Sequence, residues 1–350
     1  MKIIRSIKTM PALLLILLLS FTLGCGENFS PEAYGTPDEE YPSDQLQICS
    51  KLDFSQINWP TIFNAATQNS FALALNVTGS FEGSQSWTTI AGDSDGQGLS
   101  LGLLQQNLGS GTLQPLLATM NKSHKSKMQA FFSTSHWTSI SAMLDEWTKT
   151  NPVTISSFAL AAFQPLFPSD SVALSPLDEN YDEPLFESLA TTAVTKTLTW
   201  ARQNILSNKV VKADWKKELQ ALSNSAEYRN YQFREALHLH LSTESYFKYF
   251  GFKTLTAYLF LYDVVVQNGG FNDSHKNLYQ QYVKQNPNTN ETQKLKKLLA
   301  IRLTSVRAQY RDDVNARKST IINGTGIVHG SQRNLAKEYC FQNGLQISPL

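Results

Sequence analysis

Apolar positions recur at spacings of three and four residues along most of the chain, the period of a helix that buries one face. That pattern predicts helices over Trp59–Val77, Gln114–Met120, Thr138–Thr148, Leu185–Leu206, Lys212–Leu222, Ala226–Tyr249, Lys253–Val266, Ser274–Lys284 and Thr292–Arg317. Few segments alternate with the two-residue period of a half-buried strand. Between Glu82 and Asn107 the texture changes to Gly, Ser, Asp and Thr, with Gly83, Gly92, Gly96, Gly98 and Gly102 close together, so a turn-rich or short β segment is expected there. Asn151-Pro152 and Pro165–Pro184 interrupt the helices, and the second stretch reads as a crossing between two lobes. No internal repeat of solenoid period is visible.

The N-terminus departs from this pattern. Lys2, Arg5 and Lys8 precede an uncharged stretch, Met10–Gly24, dominated by Leu13–Leu19, which reads as a signal peptide over residues 1–24. Fifteen such residues rise only about 22 Å as a helix, short of the roughly 30 Å hydrocarbon core. Thr22-Leu23-Gly24-Cys25 resembles the lipobox of bacterial lipoproteins, with Thr at the first position where Leu is usual, and implies that Cys25 becomes a lipidated first residue. Residues 25–47 then carry Pro31, Pro37 and Pro42 with six acids and no base, the composition of a solvated tether. The expected placement is the bacterial envelope, lipid-anchored, at an outer membrane where one exists, because Gly26 rather than Asp follows the Cys. Residues 48–350 remain as the folded domain, expected to be a monomer.

Composition narrows the class. With 350 residues, 41% hydrophobic, and 19 Phe, 13 Tyr and 6 Trp, the chain can bury a large core. Its formal charge of +1 gives no global field of the kind nonspecific nucleic-acid binders use, so no nucleic-acid partner is expected. Removing signal and tether leaves 27 basic against 23 acidic residues, about +4. Cys49 and Cys340 are expected to pair in an exported protein, pinning the start of the domain to its end. No metal or cofactor is expected. His238 and His240, two apart on a predicted helix, do not share a face, and neither HExxH nor GxSxG occurs.

The chemistry concentrates in Gly79-Ser80-Phe81-Glu82 and in Trp87–Gln105. Cleaving a glycosidic bond takes one carboxylic acid to protonate the leaving oxygen and one carboxylate to activate water or stabilise the cation. Glu82 and Asp95 are candidates for the pair. A carboxyl at a helix C-terminus beside Phe81 feels a dipole and a desolvation that both favour its protonated form, as a general acid needs. The glycines keep the facing loop thin enough for a sugar to approach. Ordinarily a lone Glu after a helix is a surface acid and an Asp before Gly a turn former. Asp93-x-Asp95-Gly96 also begins like a calcium loop, but Leu104 stands at the twelfth position where a bidentate Glu belongs. Spacing alone leaves Asp93 and Asp95 both open as the second carboxylate. Trp87, Trp137, Trp147, Tyr258 and Tyr262 are read as core aromatics first and sugar platforms second.

Ser80-Phe81-Glu82 followed by Asp95-Gly96-Gln97-Gly98-Leu99-Ser100-Leu101-Gly102 resembles the chitosanases of glycoside hydrolase family 46, which carry an acid Glu after their first helix and a D-G-R-G-[aromatic]-T-x-G loop. Tyr262-Asp263-Val264-Val265-Val266-Gln267-Asn268-Gly269 resembles that family's Y-D-x-x-V-x-H-G helix end, and Ala300-Ile301-Arg302 its A-R helix, with Arg317 fifteen positions on. The resemblance implies a mainly α, lysozyme-like α+β fold: two helical lobes and a small β element flanking a substrate cleft. It implies Glu82 as general acid, Asp95 as base for an inverting attack by water, and Ser100 holding that water. It also implies an acid-supporting network of Asp263, Arg302 and Arg317. Gln105 and Asp93 are candidates for positioning substrate and water. The loop Arg is Gln97 here, the loop aromatic Leu99 and the helix-end His Asn268; the loop Arg helps position that segment in the family.

The expected partner is therefore a polysaccharide of β-1,4-linked amino sugars. A tethered envelope protein meets peptidoglycan first, and a domain near +4 suits an anionic wall better than cationic chitosan, so glycan strands of peptidoglycan, N-deacetylated or not, are preferred over chitosan. Gly102-Leu103-Leu104-Gln105 is also similar to the G-L-M-Q of lytic transglycosylases, which implies an alternative in which Asp95 is dispensable. A catalytically inactive wall-binding lipoprotein is the third class.

Overall fold

A computed structural model describes residues 48–83, 86–150 and 183–347, which belong to one compact unit. The predicted signal peptide, Cys25, the tether and nearly all of the predicted mid-chain crossing lie outside the described residues.

The first helix, α1 (Ala65–Phe81), begins later than the hydrophobic period suggests and runs further. Asn64 caps it by accepting the Thr67 N–H at 2.9 Å, so the apolar residues from Trp59 to Phe63 belong to an irregular lead-in. Three short strands follow, β1 (Ile90–Ala91), β2 (Ser100–Leu101) and β3 (Gln106–Asn107), in the turn-rich stretch. They pair antiparallel in sequence order, with Ala91 opposite Ser100 and Leu101 opposite Gln106.

The helices α2 (Leu113–Ser123), α3 (Lys125–Gln129), α4 (Thr134–Thr150), α5 (Glu183–Asn204) and α6 (Ala213–Asn224) surround one apolar core, with hairpin β4 (Leu206–Ser207) and β5 (Val210–Val211) between the last two. That core takes Leu99 and Leu101 from the β sheet, then Leu117, Met120, Trp137, Leu144, Trp147, Trp215 and Leu219. A second core is built around α8 (Leu255–Asn268), which is apolar all round and buried from Leu255 to Val265. Packed on it are α1, α7 (Ala226–Phe250), α10 (Glu291–Leu303) and α11 (Arg311–Asn323), while α9 (Asp273–Gln285) packs beside α10. Helix α7 serves both cores: Tyr228 lies in the first, Phe233 and Phe247 in the second. The five aromatics weighed as sugar platforms, Trp87, Trp137, Trp147, Tyr258 and Tyr262, are all buried.

The predicted helix 292–317 is two helices. After Leu303 the hydroxyls of Thr304 and Ser305 donate to the carbonyls of Ile301 and Arg302 (2.7 and 3.0 Å), satisfying groups that a continuing helix would use. The chain resumes as a single 3-10 turn, Ala308–Tyr310, and then α11. Hairpin β6 (Thr325–Val328) and β7 (Ser331–Asn334), unannounced by any alternating pattern, turns through His329-Gly330, both at positive φ, and packs on α11 ahead of α12 (Leu335–Tyr339). Cys49 and Cys340 are disulfide-bonded, Cα–Cα 5.3 Å, across 291 residues of chain. Among the described residues twelve helices and three small antiparallel sheets make a mainly helical α+β fold, and no helix is long and apolar enough to cross a membrane.

Candidate active site

Helix α1 carries its last residues straight into the candidate acid. Glu82 is the C-cap, its own N–H bonded to the carbonyls of Thr78 and Gly79. Phe81 beneath it lies between two guanidinium groups, Arg317 at 5.3 Å and Arg333 at 5.0 Å from the ring centroid. Arg333 also donates to Ser80 Oγ (2.8 Å) and forks onto Glu338, which fixes the end of α1 against the β6–β7 hairpin and α12.

The side chain of Glu82 is half-buried and meets the interior through Arg317. This arginine, 2% exposed on α11, donates Nη1 to Glu82 Oε1 at 2.6 Å and Nη2 to Asp263 Oδ1 at 2.5 Å. Asp263 comes from the centre of α8 and is fully buried. Its other oxygen faces Lys318 Nζ at 2.6 Å, and Lys318 also donates to the Asp263 carbonyl and to Gln267 Oε1. Gln267, one turn along α8, donates to Asp313 Oδ2 (2.6 Å), whose Oδ1 meets His329 Nε2 (2.6 Å) at the surface. The result is an alternating row of charges, Glu82, Arg317, Asp263 and Lys318, that ends in a polar path to solvent. Burial pushes Asp263 up, but the charges of Arg317 and Lys318 outweigh it and hold the carboxyl below its ordinary value. Burial likewise lowers Lys318, to about 8 despite the opposing pull of Asp263.

Two residues separate the structure from the sequence reading. Arg302, expected to support the acid, instead donates Nη2 to the Asn268 carbonyl (2.9 Å) and Nη1 to Ser305 Oγ. It caps the C-terminal end of α8, where unpaired carbonyls attract a cation, and makes no contact with Asp263. Lys318 stands at Asp263 in its place. The signal for it was present: Val314, Arg317, Lys318, Ile321 and Ile322 form one stripe at helical spacing, with two cations on it.

Both candidates for a second carboxylate, Asp93 and Asp95, lie in the β1–β2 loop, on the other core. Asp93, 5% exposed, is the loop's anchor: Oδ1 accepts the Gly98 N–H (2.7 Å), Oδ2 accepts Arg202 Nε (2.7 Å), and its own N–H donates to the Lys209 carbonyl. The Arg202 hydrogen bond holds Asp93 below the usual carboxylate range. Asp95 is exposed to solvent and accepts a local turn bond from the Gln97 N–H (3.0 Å). Arg202 of α5 also reaches the Gly96 carbonyl (3.2 Å), so a cation from a distant helix braces the loop in which Gln97 stands. Arg202, Lys209, Asn208, Leu206, Asp93 and Gly96 surround an open cavity of about 400 Å³, which Asp95 does not line.

Ser100 is buried in β2 opposite Ala91 and Asn107. Gln105, at φ 51°, turns its amide back onto the Gly102 carbonyl (2.8 Å), closing the turn after β2. Sequence reasoning missed Gln232 of α7: buried, it accepts the Leu103 N–H (2.9 Å) and donates to the Trp87 carbonyl (3.2 Å), clamping the β segment. A Cβ on Gly102, at φ +89°, would stand 2.3 Å from the Gln232 Oε1, and one on Gly79 would stand 2.5 Å from Leu103 Cδ1. Glycine at both positions lets α1, the β2–β3 turn and α7 meet closely. Of the two histidines, His240 is buried with Nδ1 on Tyr258 OH (2.6 Å), and burial lowers it to about 3. No cluster of three His, Cys, Asp or Glu suited to a metal occurs among the described residues.

No protein-family model matches the chain, and no curated protein matches it in sequence. Among solved structures, one described as a chitosanase complex structure is 14% identical with a TM-score of 0.42, covering 77% of this chain and 98% of that one. The native chitosanase of Bacillus subtilis MY002 is 16% identical with a TM-score of 0.42, covering 75% and 94%.

Proposed function

We propose that the chain is a glycoside hydrolase of β-1,4-linked amino-sugar polymers, with Glu82 as general acid and Asp95 as the base that activates water in an inverting displacement. The observation that carries this reading is the division of labour between carboxylates. Glu82, half-buried, is held by an arginine shared with the buried Asp263, whereas Asp95 is exposed on a glycine-rich loop whose neighbour Asp93 does the anchoring. A shared Arg317 steers Glu82 without being committed to it, and an exposed Asp95 is free to receive a proton from water.

Peptidoglycan glycan strands are the preferred polymer. Arg202 and Lys209 line a cavity at the β1–β2 loop against the single acid Asp93, a cationic rim that favours an anionic wall polymer over polycationic chitosan. Lipidation of Cys25 and the acidic tether would hold the domain about 25 Å from a membrane, within reach of that polymer. The test is reducing-end release by the full chain from acetylated peptidoglycan, deacetylated peptidoglycan and chitosan. Glu82→Gln and Asp95→Asn are each expected to lower the rate on the cleaved polymer by about a hundredfold or more. A chain that cleaves none of the three polymers contradicts the enzyme reading.

A further inference from the structure

We propose that Lys318 is a positioning residue for the acid: it balances Asp263 so that Arg317 stays shared between Asp263 and Glu82, and its ionisation is coupled to that of Glu82. The proposal rests on the reading of Glu82 as general acid and extends it to a residue which that reading did not contain.

The geometry is specific. Lys318 is 0% exposed, and its ammonium lies 2.6 Å from Asp263 Oδ2 on the side opposite Arg317. A lysine is not buried in this way without a counter-charge, because an uncompensated ammonium in the interior is costly. The charged groups facing it are Asp263 from its partner helix α8, Arg317 beside it on α11, and Glu82 from the end of α1. Gln267 supplies a neutral acceptor. With Glu82 ionised the row carries two negative and two positive charges and is neutral. With Lys318 uncharged, Asp263 has one cation left, Arg317 is drawn toward it, and the negative charge on Glu82 loses support.

Two consequences follow from that coupling. Loss of the Lys318 charge favours the protonated form of Glu82, so the alkaline limb of kcat/KM, where a general acid loses its proton, moves to higher pH. By reciprocity, loss of the Glu82 charge makes Lys318 easier to deprotonate. Unlike an arginine, a lysine whose ammonium is destabilised by burial can lose its charge at alkaline pH, so the coupling is expected to show there.

The experiment has two arms on the full chain. In the first, the ε-carbon resonance of Lys318 is titrated by NMR in the unsubstituted protein and in Glu82→Gln, which alters only a half-buried side chain at a helix end. Its midpoint is expected near 8 and is expected to fall by about half a unit in Glu82→Gln. An unchanged midpoint overturns the coupling, and this arm needs no activity. In the second, kcat/KM is followed against pH on the polymer the protein cleaves, for Lys318→Met and Lys318→Arg. The alkaline limb is expected to move up by about half a unit in Lys318→Met and to stay in place in Lys318→Arg. A uniform loss of kcat with the limb unmoved in Lys318→Met assigns Lys318 a purely structural role and overturns the proposal. Should Lys318→Met not fold, the first arm decides. If no polymer is cleaved, the function reading fails while the first arm still tests the coupling.

Discussion

Arg317 is the residue on which the candidate site turns. It gives one nitrogen to a half-buried carboxylate and another to a fully buried one, and stacks over Phe81 as well. Replacing it by Ala leaves Asp263 with Lys318 alone and Glu82 with no interior partner. The expected cost is about 3–5 kcal/mol in chemical denaturation, as for other buried pairs broken from one side. Asp263 sets a pH dependence of known sign. Its folded-state value is depressed, so its contribution is fully present above the ordinary value near 3.8 and is lost as pH falls through the lower folded value. Asp263→Asn is expected to flatten the fall in stability below pH 4, measured as thermal midpoint against pH. Glu82, Asp263 and Arg317, which the structure brings together, were singled out through a resemblance, the first two within short motifs and Arg317 only by its spacing from Arg302. Arg302 was misplaced and Lys318 overlooked because a list of cations on predicted helices does not say which of them points at a given carboxylate. One helix break between Leu303 and Arg311 was enough to send Arg302 to the end of α8 and to leave Lys318 for Asp263.

The elements that present the two carboxylates are held by unlike means. Helix α1 is held by burial of every residue from Ser70 to its end at Phe81. The β1–β2 loop depends on one buried aspartate and one arginine from α5. Arg202→Met removes the partner of Asp93 and the bond to Gly96, and because Arg202 is itself 49% exposed the global cost is expected to be small, about 1 kcal/mol. Activity is expected to fall by about tenfold or more, since a misplaced Asp95 loses its geometry for water. Rates and thermal midpoints compared side by side distinguish this from unfolding. Gly102→Ala is expected to cost about 1–3 kcal/mol by the same assay, because it forces a side chain into positive φ and against Gln232. Period-three-and-four patterns located most helices to within a turn, but two-residue strands are too short to show a period. The β sheet was recognisable through glycine and turn chemistry alone, while the β6–β7 hairpin, half of it polar, left no such mark.

The molecule as a whole joins two apolar cores through α7 and through the β segment clamped by Gln232. Glu82 extends from one core and Asp95 from a loop on the other. The disulfide ties residue 49 to residue 340, and with the Cys49 N–H bonded to the Tyr339 carbonyl (3.1 Å) it joins the segment before α1 to the end of α12. Its reduction is expected to cost about 2–5 kcal/mol, read from denaturation with and without reductant. The mid-chain prolines read as a crossing between lobes lie almost wholly outside the described residues; the sharing of α7 between cores was not anticipated, because a continuous periodic helix gives no sign that its partners change along its length.

The central claim is that two carboxylates cleave a glycan with water. Products formed by the unsubstituted chain and by Asp95→Asn in ¹⁸O-labelled water, resolved by mass spectrometry, test it directly. Expected are one labelled oxygen at each new reducing end from the unsubstituted chain and about a hundredfold less product, or lower still, from Asp95→Asn. Unlabelled 1,6-anhydro ends that persist in Asp95→Asn would contradict it and identify a single-carboxylate transglycosylase.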